Sequence, residues 1–357
     1  MKQNTQKRKN EHLRIVLNEN VTSSKITTGL ENYRFVHQAL PEVDLKEINL
    51  SSSFLGKPLK APLFISSMTG GTEETGEINK RLAAAAQECG WAMALGSMRV
   101  VLEYPEIKHT FQVRRYAPDI PILANIGAVQ LNKGVGSDEC RYLVEIAEAD
   151  ALVLHLNPMQ EVFQPEGDVD FKGLLNKIET LCVRLSIPVG VKEVGWGINA
   201  ELVKTLFDCG VQFVDVAGAG GTLWSQVEKH RTSHPLLGKA AQAFTEWGIP
   251  TAECILEARS IAPTGTILAS GGLETGIDAA KALALGADLA GFGRALLPAA
   301  ISSDPEEMIR RLELVMLEMK LAMFGAGIVS VSDLKESDRL VYDASKQAGR
   351  FGTCTCD

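Results

Sequence analysis

No stretch of this sequence approaches the ~20 consecutive apolar residues of a membrane-spanning helix, so a membrane partner is not expected. The opening MKQNTQKRKNEHLRI lacks the apolar core of a secretory leader. A disulfide framework is missing too. The seven cysteines, at 89, 140, 182, 209, 254, 354 and 356, are odd in number and scattered. That usage points to a reducing compartment and a cytoplasmic location. The single close pair, Cys354 and Cys356, sits at the chain end and reads as a frayed tail rather than a metal or redox site. Positive charge is scarce. A net charge of -8 argues against a general nucleic-acid partner. It leaves an anionic substrate open, because a pocket needs only local positive charge. The one dense basic segment is N-terminal, with Lys7, Arg8, Lys9 and Arg14. Aromatic residues are few, at 6%, while glycines number 32, a balance that suits many short strand-to-helix turns better than a β-sandwich.

What is present is a repeated alternation. Apolar runs occur at 63–68, 92–96, 121–126, 151–156, 188–194, 213–218, 266–271 and 289–293, most of them separated by amphipathic stretches such as 77–90 and 276–286. Strands apolar on both faces belong to a buried parallel sheet. Eight such units in one chain predict an α/β fold, a (β/α)8 TIM barrel, over 61–303. Residues 1–60 read as a basic arm and a barrel-bottom extension, with a short helix at 36–44 and then a hairpin. Within 218–265 we expect a mobile loop and two helical runs, at 235–247 and 250–262. Residues 304–357 read as a strongly patterned helix at 304–325 and a loosely packed tail from 330.

Barrel active sites lie at the C-terminal ends of the strands. Polar residues fall at nearly every such end: Ser66, Ser67 and Thr69; Ser97 and Arg99; Asn125; His155, Asn157, Gln160 and Glu161; Lys192 and Glu193; Thr222; Ser270; and Arg294. After strands seven and eight, Gly271 and Gly272 and then Gly293-Arg294 each precede a helix. Backbone N–H groups at such positions cradle phosphate, and glycine allows close approach. Lys192 lies within an apolar strand. It either points inward at an anionic group, as in barrels where a lysine faces the N1–C2=O edge of a flavin, or pairs with Glu193. Asn125 and Ser97 would then hydrogen-bond the ring edge, or are satisfied core groups. Glu161 is a candidate Mg2+ ligand, since that ion takes one or two carboxylates plus substrate phosphates; the alternative is a solvated surface residue. His155 and Asn157 alternate so that both could face the mouth. The N-terminal arm is solvated, or else brings Arg8, Lys9 and His12 to a diphosphate, in its own barrel or a neighbouring subunit's.

The motifs RKNEH, SSMTGG, ALGSMR, ANIGAVQL, HLNPMQE, PVGVKEVGWG, GAGGTLW and SGGLETGIDAAKALALGAD, in barrel order over about residues 8 to 325, resemble the type 2 isopentenyl-diphosphate isomerases. The resemblance implies an FMN barrel that isomerises isopentenyl diphosphate to dimethylallyl diphosphate. It requires reduced flavin and Mg2+, uses NADPH as reductant, and assembles as a homo-oligomer, a tetramer or octamer. It implies FMN contacts from Ser67, Met68, Thr69, Ser97, Asn125, Lys192, Thr222, Gly271, Gly272, Leu273, Gly293, Arg294 and Ala295. Substrate contacts would come from Arg8, Lys9, Ser97, Arg99, His155, Asn157 and Gln160, and the metal contact from Glu161. Two positions depart from the family pattern: Glu274 where a basic residue is common, and Ala217 where a hydroxyl residue is common. Reduced flavin would carry the proton chemistry, Gln160 would orient the reacting carbons, and Trp224 would close the pocket against water. The rival reading is an FMN-dependent barrel oxidoreductase for a small anion. A hydroxy-acid oxidase needs a base His and an Arg near the end of strand six, where this chain has VAGAGGTLW. An IMP-dehydrogenase-like barrel needs a Cys on the loop there, and none is present.

Overall fold

The fold is described by a computed structural model that covers residues 2–23 and 25–343, with side chains from Arg8 onward. Eight parallel strands close into a barrel: β1 (Leu63–Ile65), β2 (Ala92–Ala94), β3 (Ile122–Gly127), β4 (Ala151–His155), β5 (Val189–Lys192), β6 (Phe213–Asp215), β7 (Thr266–Ala269) and β8 (Leu289–Phe292). Each predicted apolar run matches one of them, β3 extending one residue past its run. Six of the eight are buried along their whole length, and β4 and β7 each have one half-buried end residue, as a sheet with helices outside and a filled lumen requires. The helix Glu73–Cys89 shows the local logic of the alternation. Thr72 and Thr75 form a reciprocal cap at its start, and Gly90 ends it in the left-handed conformation.

The lumen is packed by Phe64, Leu123, Val153, Phe213, Leu268 and Leu289 among others. Small residues make room for the large ones: a Cβ on Gly190 would lie 2.1 Å from the Phe213 ring. The predicted hairpin, Ser52–Phe54 with Lys57–Leu59, seals the N-terminal end, with Phe54 edge-on to Phe213 at 5.2 Å between ring centres. At the opposite end the strand register sets up the site. Gly127 pairs with His155, His155 with Lys192, and Lys192 with Asp215. In-register neighbours share a face of the sheet, so three ionisable side chains stand side by side at one level.

Four expectations change. The basic arm is a helix, Lys2–Asn18, laid against the mouth of the barrel; Ile15 and Val21 bury against Val227. Residues 36–44 form no helix. Pro41 and the left-handed Glu42 (φ 54°) interrupt the backbone there. The segment read as a mobile loop contains the helix Trp224–Arg231, followed by the two expected helices, Pro235–Ala243 and Thr251–Ile261. Part of the expected loose tail is ordered: Val331–Glu336 is helical and Leu340–Tyr342 pairs antiparallel with Tyr33–Phe35. Cys354 and Cys356 lie outside the described residues. The patterned C-terminal helix is Glu307–Ala326. Among the described residues, no helix is long and apolar enough to cross a membrane.

Candidate active site

A cavity of about 280 Å³ opens at the C-terminal ends of the strands, roofed by the N-terminal helix. Of the strand-end residues singled out from the sequence, all but Glu193 line it. Ser67, Met68 and Thr69 follow β1; Ser97 and Arg99 follow β2; Asn125 ends β3. His155, Asn157, Gln160 and Glu161 come from the end of β4 and its short helix. Lys192 ends β5, and Thr222 and Trp224 follow β6. Gly271, Gly272 and Leu273 follow β7; Gly293, Arg294 and Ala295 follow β8; Arg8, Lys9 and His12 descend from the arm.

The glycines after β7 are required by geometry. Gly271 and Gly272 have φ of 105° and 81°, and a Cβ on Gly271 would lie 2.2 Å from the Gly218 carbonyl oxygen. Gly293 differs, since a Cβ there would meet nothing within 4 Å. The backbone at Gly293 thus borders open space at the start of the turn Arg294–Leu296, as a phosphate cradle should. Glu274 also lines this end of the cavity, 3.5 Å from Arg294. Ala217, the other departure, lines the wall with a left-handed backbone, φ 39°.

Lys192 is not paired with the Glu193 side chain. Its ammonium donates to the Glu193 backbone carbonyl, while the Glu193 carboxylate accepts the N–H groups of Val194, Gly195 and Trp196 at 2.6, 2.7 and 2.6 Å. Beside it runs a polar chain. Asn125 Nδ2 donates to Ser67 Oγ at 2.7 Å, and its Oδ1 lies 2.7 Å from His155 Nδ1. In that assignment Nδ1 of His155 carries the proton and Nε2 is an acceptor. Burial, reinforced by Lys192 and Arg99, depresses the His155 pKa to about 3, so the ring is neutral at physiological pH.

Arg8, Lys9 and Arg99 gather under the roof. Lys9 donates to the carbonyls of Gly70 and Ser97, the second at 3.2 Å, and lies 5.3 Å from the centre of the Phe111 ring. Arg99 pairs with Asp168 at 3.2 Å and Glu103 at 3.3 Å, and Arg8 lies 3.7 Å from Glu166. Burial, then Arg8 and Arg99, lowers the Lys9 pKa to about 7. Its charged form is disfavoured in the folded chain. That cost is present in full below pH 7 and disappears as pH rises toward 10.5. An arriving anion reverses the penalty and restores the proton. Binding of inorganic diphosphate is therefore expected to take up a proton above pH 7, with affinity falling as pH rises. Calorimetry in buffers of different ionisation enthalpy measures this; proton-neutral binding at pH 8 in wild type would contradict it.

His12 reaches a different partner than expected. Its Nε2 lies 2.8 Å from Glu228 Oε1 and its ring stands edge-on to Trp224 at 5.3 Å. Glu228 also holds Arg231 at 2.5 Å and accepts from Gln160 Nε2 at 3.3 Å. Arg231 in turn binds Glu11 at 3.2 Å and Glu166 at 3.0 Å. This cluster ties the roof to the helix Trp224–Arg231. Sequence reading missed it because that helix was taken for a loop and its partners lie more than 60 residues away. Glu161 is buried rather than solvated. Its oxygens accept from Asn157 Nδ2 at 2.9 Å and from the Asp168 backbone N–H at 2.7 Å. Among the described residues, no group of three or more His, Cys, Asp or Glu side chains is placed to hold a metal. A cation at Glu161 would depend on oxygens brought by a ligand. Asp215 was also missed, although a charged residue inside the apolar run FVDVAG is the same signal that marked Lys192.

A closed β/α barrel with glycine turns at the cavity after its last two strands and a buried lysine on the inner wall defines the class. Residues 1–109 and 148–341 match the FMN-dependent dehydrogenase family, and the chain belongs to it. Within it, the chain is a member of the isopentenyl-diphosphate delta-isomerase family. It is 51% identical to the protein of that name from Oceanobacillus iheyensis over 95% of this chain and 97% of the relative. It is 50% identical to the one from Nostoc sp. (94% and 96%) and 47% identical to the one from Rickettsia felis (93% and 95%). Among solved structures, a mandelate oxidase variant aligns with a TM-score of 0.61 over 88% of this chain and 89% of that one at 19% identity. An (S)-mandelate dehydrogenase chimera aligns with a TM-score of 0.64, over 94% and 98%, at 15%. At those identities the likeness is one of fold.

Proposed function

We propose that this chain interconverts isopentenyl diphosphate and dimethylallyl diphosphate with reduced FMN and Mg2+ bound, NADPH serving as reductant. The observation that carries the reading is one cavity joining a glycine-lined turn and a buried lysine to a separate cluster of three basic residues, two of them from the roof helix, beside the apolar Leu13 and Val16. The cradle of Gly271, Gly272 and Gly293, with its open backbone face, fits the FMN phosphate. Lys192, Asn125, Ser67 and Ser97 fit the polar edge of the ring, and Met68, Thr69, Thr222, Leu273, Arg294 and Ala295 complete the enclosure. Reduced FMN supplies an acid/base group at N5 and an electron-rich face that favours developing positive charge.

The chain's own residues bind, orient and exclude. Arg8, Lys9 and Arg99 neutralise the diphosphate, with Ser97, His155 and Asn157 beside them. His155 acts there as a neutral hydrogen-bonding group. Glu161 would hold the cation, whose charge would offset that of the diphosphate. Gln160, steadied by Asn157 and Glu228, aligns the allylic carbons. Trp224, with Leu13 and Val16 of the roof, keeps water from a carbocation-like centre. The hydroxy-acid oxidase reading finds no support at β6, whose end contributes Ala217, Gly221, Thr222 and Trp224 to the cavity, none of them a base. We place the protein in the cytoplasm as a homo-oligomer, a tetramer or octamer.

An absorbance spectrum of the purified protein, followed by product analysis with isopentenyl diphosphate, tests the proposal. Absent flavin absorbance together with no uptake of added FMN would overturn it. The roof has its own expected result. Removing residues 1–12 deletes Arg8, Lys9 and His12. It should leave FMN bound and raise KM at least ~tenfold, since a hydrogen bond to a charged group contributes about 1.5–3 kcal/mol. An unchanged KM would make the arm a structural cover only.

A further inference from the structure

Behind the cavity wall lies a buried carboxylate that the proposed reaction does not use. Asp215 ends β6, is 3% exposed, and sits in register beside Lys192. Because in-register neighbours share a face, both side chains project to the lumen side at one level, and of the two Lys192 lines the cavity. The carboxylate is well supplied with donors. Oδ1 lies 3.0 Å from the Ser270 backbone nitrogen and 3.3 Å from that of Ala217, and both oxygens lie 2.9 Å from Ser270 Oγ. Two backbone N–H groups, one hydroxyl and the lysine in register on the next strand all favour its charged form. Burial raises its pKa above the usual carboxylate value, and Lys192 with the donors of Ser270 and Ala217 offsets part of that rise. A structural clamp between β6 and β7 needs the hydrogen bonds but not the charge; an amide would supply most of them.

We infer that Asp215 is the counter-charge of Lys192, a positioning residue that moderates the lysine's field on the bound flavin and so keeps the reduced ring electron-rich. This rests on the reading that the cavity takes FMN. Lys192 alone would favour electrons on the ring and leave the reduced form less able to stabilise positive charge. An anion one strand away offsets part of that field, and inside a buried wall the effect is only weakly screened. The same carboxylate holds Ser270, the residue before the cradle glycines, so lysine and cradle are tied to one group.

The test is the flavin midpoint potential at pH 7, measured by anaerobic dye titration on FMN-loaded wild type, Asp215→Asn and Asp215→Glu. Flavin content and thermal melting are recorded for each. Asp215→Asn should retain FMN and move the potential upward by roughly tenfold in the two-electron reduction equilibrium, about 30 mV. Asp215→Glu keeps the charge and should stay near wild type. An Asp215→Asn potential equal to or below wild type overturns the inference. So does loss of flavin from both variants, which would make Asp215 a strand clamp alone. Wild type that binds no flavin would instead defeat the functional reading.

Discussion

With oxidised FMN under air the protein is expected to form no dimethylallyl diphosphate. After anaerobic reduction by NADPH or dithionite it should do so for many turnovers, without further loss of reductant. The reasoning starts from the cavity's acids and bases. Isomerisation adds one proton to a terminal alkene carbon and removes another, with no net electron transfer. His155 is held neutral by burial, with its pKa near 3. Gln160 is an amide. Glu228 is committed to His12 and Arg231. Glu161 accepts two hydrogen bonds from the protein itself. None of these is placed as a strong carbon acid or base, which is why the proposed function assigns the proton transfers to reduced FMN. Product assayed by chromatography against NADPH absorbance separates the cases. One NADPH consumed per product, or full activity with oxidised flavin, would favour the oxidoreductase reading.

Glu161→Gln should lower turnover by ~100-fold or more with flavin content unchanged. The substitution keeps size and removes the one carboxylate proposed to meet Mg2+ beside the diphosphate; two decades correspond to about 2.7 kcal/mol of lost stabilisation. The structure also explains why the fold should tolerate it. The Asp168 N–H can still be accepted by the new amide oxygen. The new NH2 would face Asn157, whose Oδ1 has no hydrogen-bond partner, so a flip of the Asn157 amide restores a donor–acceptor pair. Raising Mg2+ should recover part of the loss if the defect lies in metal affinity. A Mg2+ titration identical to wild type, at near-normal activity, would remove Glu161 from the site.

Much of the site was legible because the barrel converts sequence position into place. Once eight apolar runs define eight strands, any polar residue just past a run is at the mouth. Ser67, Asn125, His155, Lys192 and Thr222 were found by that rule, and all line the same cavity. The glycines after β7 were legible for a second reason. Left-handed backbone and close approach leave few alternatives to glycine at Gly271 and Gly272. Errors fell where local pattern carries little information. The helix Trp224–Arg231 is polar, short and closes over the barrel, so no apolar periodicity announced it.

The sequence by itself determined the barrel, the order of its strands and the chemical character of its mouth, because those follow from short-range periodicity and from residues adjacent to strand ends. Only the tertiary structure decided which charges meet. The arm's Glu11 and His12 find Arg231 and Glu228, about 220 residues on, and Lys9 finds the carbonyls of Gly70 and Ser97. Strand register, not spacing along the chain, set His155, Lys192 and Asp215 side by side. The physical reason is that a charge's partner is chosen by distance in space and by burial, and closing the barrel brings together groups whose separation along the chain carries no trace of the meeting.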